Sequence, residues 1–248
     1  MSDKSLRINH QPVFLLTALP WRESSLRLEV FSRNYGRVVL LARSARKRQS
    51  ELRGVLVPFL PISASWYGSG ELKTLHRAEW LGGWALPQGR ALFSGLYVNE
   101  LILRLTARED PHPKLYDALA GLMRSISDTP DDIAALRRFE WILLKELGFA
   151  PDLRQDEQGR MIDSTQIYWL GAEQGAVLLD GNDRLSERNN LGVVISGNVL
   201  IQLDNGKFDN GEDLQQALKL TRMLIDFHLP NGIKSRQVLQ QMQAFQIT

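Results

Sequence analysis

Apolar positions in the first third of the chain fall in short runs at 13–16, 26–31, 38–41, 54–59 and 62–66, rich in β-branched and aromatic residues. Turn residues part them: Asn34-Tyr35-Gly36, Pro58, Pro61 and Gly68-Ser69-Gly70. Runs of this length bounded by turn chemistry predict strands, and five of them so close together predict an OB-type β-barrel. After Gly82-Gly83 and Pro87 the period lengthens to that of helices. A helix is expected over 90–105, with Leu92, Leu96, Asn99 or Glu100 and Leu103 facing inward, and a second over 114–125. A third carries the fullest end signals: Thr129 to cap, Pro130 in the first turn, Asp131 and Asp132 at the positive end, and Gly148 to stop. Its inward stripe reads Leu136, Phe139 or Glu140, Leu143 and Leu147, and on a neighbouring face Arg137 and Trp141 adjoin, four residues apart.

Between 151 and 208 the pattern is broken by Gly, Asn and Asp, with strand candidates at 166–170, 176–179 and 193–203. Helical periodicity returns over 212–228, with Leu214, Leu218, Thr221 and Ile225 on one face and Asn231-Gly232 as the stop, and again over 235–244. The fold class is therefore α+β. Four segments follow: a barrel at 1–80, a helical domain at 81–150, a less regular segment at 151–208, and C-terminal helices at 209–248 that complete the helical domain.

Composition narrows the chemistry. Among 248 residues there is no cysteine, which excludes disulfides and thiolate metal sites and suits a reducing cytoplasm. The histidines His10, His76, His112 and His228 stand singly, so no metal and no cofactor is expected. No apolar run approaches the ~18 residues needed to cross a bilayer, so a soluble, cytoplasmic protein is expected. The net charge of +2 hides an asymmetry: residues 1–80 hold 13 Lys/Arg against 6 Asp/Glu, a surplus of seven positive charges. The remainder is mildly acidic, and such a split steers polyanions to one face.

The cations concentrate after the 38–41 strand. Arg37, Arg43, Arg46, Lys47, Arg48 and Arg53 are expected to contact phosphates, supported by Lys73, with Trp21 or Trp66 stacking on bases. Carboxylates at Asp204-Asn205-Gly206 and Asp180-Gly181-Asn182-Asp183 read as Asx turns, not as catalytic pairs. No phosphate loop, calcium loop or nucleophile elbow is visible. A binding protein, not an enzyme, is expected; an RNA-binding OB protein of translation and a metal-dependent nuclease stay open as alternatives.

Seven short motifs then carry a resemblance. Pro20-Trp21-Arg22-Glu23-Ser24-Ser25-Leu26, the stretch 31–37, the cationic run to Arg48, Glu71-Leu72-Lys73-Thr74-Leu75, Tyr97-x-Asn99-Glu100-Leu101, Leu136-Arg137-Arg138-Phe139-Glu140 and Lys234-Ser235-Arg236 occur in one order along the chain. The chain resembles the RecO family of bacterial recombination mediators. The resemblance implies an N-terminal OB-fold, a central helical bundle, and, in place of a four-cysteine zinc module, a small metal-free, treble-clef-like remnant packed with helices. It further implies binding to single- and double-stranded DNA, annealing of complementary strands in DNA repair, and a nucleoid-associated location. Expected partners are RecR, the acidic C-terminal tail of single-stranded DNA-binding protein and, indirectly, RecA. On this reading Arg137 holds the tail's terminal carboxylate with Trp141 beside it, and Lys234 and Arg236 add a second DNA contact.

Overall fold

The computed structural model describes residues 7–129, 132–179 and 191–245. Strands β1 (Arg7–Trp21), β2 (Ser25–Ser32), β3 (Gly36–Ala42), β4 (Pro61–Tyr67) and β5 (Leu72–Trp80) form a closed barrel in the order β1-β2-β3-β5-β4, with β4 returning to β1. All pairings are antiparallel except β3 with β5. This closed five-stranded barrel is OB-like, as expected. Alternate residues of the strands, among them Val13, Leu15, Leu28, Val30, Val38, Leu40, Ile62, Ala64 and Trp66, turn inward to make its core.

Two elements differ from the periodicity. The run at 54–59 is no strand: α1 (Leu52–Val55) is a single helical turn, and Leu52, Val55 and Leu56 lie three and four residues apart to pack together against the barrel core. Strand β5 carries no apolar alternation, because only Leu75 of its nine residues is buried, and pairing with β4 and β3 alone makes it a strand.

Helices α2 (Arg90–Leu105), α3 (Pro113–Asp128) and α7 (Lys234–Phe245) belong with the barrel in one compact unit, and residues 132–232 form a second. These units cut across the four sequence segments, since 209–248 contributes to both. In α2 the buried positions are Ala91, Gly95, Val98, Asn99, Leu101 and Ile102, one step round from the expected stripe, and Leu96 is exposed. The Asn99 amide donates to the carbonyls of Leu15 and Leu16, where the β1–β2 register slips, and satisfies backbone groups the ladder leaves open. Tyr116 of α3 packs on Phe14 and Phe31, at ring separations of 5.3 and 6.1 Å.

The second unit begins at α4 (Ile133–Glu146). Its cap is Asp132, whose side chain accepts from the Ala135 amide at 2.8 Å; Thr129 instead closes α3, while Pro130 and Asp131 lie outside the described residues. Strands β6 (Ile167–Gly171), β7 (Ala176–Leu178) and β8 (Gly192–Ser196) make an antiparallel sheet in the order β7-β6-β8. The apolar stretch at 193–203 is half strand and half helix: Ser196 caps α5 (Gly197–Asn205) by accepting from the Val199 amide, and left-handed Gly206 ends it. A continuous apolar run carries no period that separates the two states. Helix α6 (Gly211–His228) packs on α4, α5 and β8. The Asx turn expected at 180–183 falls outside the described residues.

Candidate nucleic-acid interface

After β3 the chain makes a series of turns, with Lys47 bonded to the Ser44 carbonyl, Ser50 to that of Lys47 and Arg53 to that of Ser50. Ala45 is the anchor. Its buried methyl joins the barrel core and turns Arg43, Arg46, Lys47 and Arg48 outward. The loop is tied to the β1–β2 turn by Arg46, whose amide donates to the Ser24 carbonyl at 2.8 Å and whose Nη1 donates to the carbonyls of Arg22 and Glu23, each at 3.3 Å. That turn presents Arg22, in the left-handed region at φ +51°, and Trp21, 37% exposed. Among the described residues, Arg22, Arg43, Lys47, Arg48 and Arg53 form no ion pair. These five cations, with no ion pair among the described residues, and the exposed indole of Trp21 thus share one end of the barrel, a surface suited to phosphates.

Three of the expected contacts lie elsewhere. Arg37 is folded back: Nη1 pairs with buried Glu29, while Nε and Nη2 donate to the Thr106 carbonyl at 3.2 and 2.7 Å. Burial lowers its pKa, as does neighbouring Arg108, against the pull of Glu29. Arg108 also reaches Glu29, at 3.3 Å. Lys73 bonds the Gly70 carbonyl and pairs with Glu109, leaving its side chain 12% exposed. Trp66 is 1% exposed inside the barrel, edge-on to Tyr35 at 5.4 Å, so it offers no face to a base. A barrel core needs bulk at that position, and the indole supplies it.

Lys234 and Arg236 open α7. Glu100 accepts the amides of Lys234 and Ser235, both at 2.8 Å, and Arg236 lies over the Tyr97 ring at 5.6 Å. The Lys-Ser-Arg motif therefore docks α7 on α2. Burial opposes ionisation of Glu100, but these bonds outweigh it and hold its pKa below the usual value.

In the second unit Arg137 is 4% exposed, with Nη1 2.7 Å from Glu140 and 3.3 Å from the Thr221 hydroxyl, which itself donates to Glu140. The guanidinium expected to capture a tail carboxylate is thus already held by a carboxylate of its own helix. Trp141 is 3% exposed, and the indole Nε1 and the Arg137 Nε are buried with no hydrogen-bond partner among the described residues. Trp141 lines a cleft of about 430 Å³ with Leu153, Lys145 and Arg154, the cations being paired with Asp204 at 2.8 Å and Asp152 at 3.0 Å. The exposed cations beside Trp141 are thus Lys145 and Arg154, which the sequence did not single out. Their approach depends on the folded α4–α5 pair and the turn at 150–154.

Among the described residues no group of three or more His, Cys, Asp or Glu could hold a metal ion, and no helix is long and apolar enough to cross a membrane. Family models described as recombination protein O N terminal and C terminal match residues 6–84 and 86–237. The chain is 62% identical over 239 residues to the DNA repair protein RecO of Neisseria gonorrhoeae, covering 96% of each. It is 44% identical to the protein of that name from Aromatoleum aromaticum, over 98% of this chain and 99% of the other, and 37% identical to that of Dechloromonas aromatica, over 96% and 97%.

Proposed function

The chain belongs to the recombination protein O family, and we propose that it acts in DNA repair as a recombination mediator that binds single- and double-stranded DNA and anneals complementary strands. One observation carries the DNA-binding part: Arg22, Arg43, Lys47, Arg48 and Arg53 are exposed and form no ion pair among the described residues, whereas the cations of the barrel shown in ion pairs, Arg33, Arg37, Lys73 and Arg77, are held by carboxylates. Annealing brings two phosphate backbones together, so the surface must neutralise charge while leaving base edges free. Contacts from flexible Lys and Arg heads meet that need without reading sequence. In this reading RecR joins the complex and the outcome is RecA loading. The tail of single-stranded DNA-binding protein docks in the second unit at the Trp141 cleft, with Lys145 and Arg154 taking the carboxylate-holding role expected of Arg137.

The test is strand annealing on naked DNA and on DNA coated with its single-stranded binding protein. Replacing Arg43, Lys47, Arg48 and Arg53 by alanine should abolish annealing and flatten the salt dependence of single-strand binding by roughly 0.7 of a slope unit for each lost contact. An unchanged slope would sink the assignment. Lys145→Glu should spare naked strands and impair coated ones; equal activity on both removes the tail site. Preference for structured RNA, or magnesium-dependent cleavage, would favour a translation protein or a nuclease instead.

A further inference from the structure

Cations alone treat single strands and duplexes much alike, because both present phosphates; favouring a single strand takes a surface for the bare faces of its bases. With Trp66 inside the barrel, Trp21 is the aromatic left from the expected pair. Beside it lies a second feature. Between the cationic loop and α1 runs a cleft of about 280 Å³, floored by Leu26, Ala45, Leu52 and Leu56 and flanked by Arg46 and Arg53. The floor is apolar because these side chains are the outermost layer of the barrel core.

We propose that this cleft is a subsite for one unstacked nucleobase of single-stranded DNA, with the adjoining phosphate on Arg53. The inference rests on the DNA-binding reading above and deepens it. Three observations bear on the occupant. The volume suits one heterocycle with part of its sugar. The two flanking residues are guanidiniums and the floor is neutral, which matches a neutral planar ring between anionic phosphates. Finally, Arg46 spends Nη1 on the carbonyls of Arg22 and Glu23, which fixes the plane of its guanidinium as one wall, whereas Arg53 has no ion pair among the described residues. A guanidinium held flat by such bonds is a stacking surface for a heterocycle. Arg46 is accordingly a positioning residue for the site, not one more phosphate contact. A base inside a duplex is covered on both faces and cannot enter, so the cleft favours strands awaiting a partner and releases them once paired.

The experiment compares binding of the full-length protein to an oligothymidine, an abasic strand of equal length and a duplex, by anisotropy at several salt concentrations. The parent should bind the base-bearing strand about tenfold more tightly than the abasic one, the effect expected of one stacked base. Leu52→Gln and Leu56→Gln, which each make the floor polar, should each remove most of that preference while duplex affinity and salt slope stay as in the parent. Trp21→Ala serves as the reference for stacking outside the cleft. The proposal is overturned if the parent does not distinguish abasic from base-bearing strands, if both floor variants keep the preference, or if both lose duplex binding in step. Failure of the parent to bind any DNA would instead remove the underlying reading.

Discussion

Arg37 and Arg43 sit at either end of one seven-residue strand and meet opposite fates. Arg37 faces the segment after α2, where Glu29, the Thr106 carbonyl and Arg108 enclose it, and Gly36 beside it has φ +64° and so little room that a Cβ would overlap the Asp110 carbonyl. Arg43 leaves the barrel into an exposed loop and forms no ion pair among the described residues. A guanidinium closed in with a carboxylate serves the fold, since removing either partner strands the other in a medium that solvates charge poorly. One left in water beside others of its sign adds to a surface field and is free for a polyanion. Arg137, sealed against Glu140, differs from Lys145 and Arg154 in burial and not in pairing, since those two hold Asp204 and Asp152 but lie exposed at the mouth of a cleft.

This contrast can be broken by mutation, and the deepest pair should respond most. Arg137→Ala leaves Glu140 buried without its cation and should cost about 3–5 kcal/mol in urea unfolding; a loss under 1 kcal/mol would mean the pair is no structural element. Arg37→Leu should cost about 2–3 kcal/mol, less because Arg108 still reaches Glu29, and should leave the salt slope of DNA binding unchanged. The 43–53 loop variant should do the reverse, holding stability within about 0.5 kcal/mol while losing DNA. If Arg37→Leu weakened DNA binding in a folded protein, the division drawn here would fail. The smallest effect concerns α7. Because the Lys234 and Ser235 amides hold Glu100 below the ordinary glutamate range, its contribution is present at neutral pH and lost as pH falls through its folded-state value. Hydrogen exchange at those two amides should therefore quicken, relative to the intrinsic rate, on acidification, and Glu100→Gln should remove that pH dependence.

Much of this was legible in the order of residues. Helix α2 occupies the expected residues, α6 and α7 agree within a residue of theirs, and four of the five barrel runs became strands, because apolar period and turn residues are local properties that tertiary packing here reinforces. Strand β5 escaped notice because its partners, not its own pattern, make it a strand. The 52, 55, 56 spacing that marks α1 was present but lay astride a run read as extended.

What the sequence determined by itself was the class of surface, a basic barrel segment followed by a mildly acidic remainder, and that followed from charge and spacing alone; the seven motifs carried the family as a resemblance. Which cations compose the surface was decided only by the tertiary structure. Arg37, Lys73 and Arg137 read in the sequence like Arg43, Lys47 and Arg48, for a side chain's charge is written in the chain but its partner is not. Glu29 reaches Arg37 across a strand pair, Glu109 reaches Lys73 from 36 residues away, and Thr221 reaches Arg137 from 84. Whether a cation serves the fold or a ligand depends on which carboxylate arrives beside it, and that meeting exists only once the chain has closed on itself.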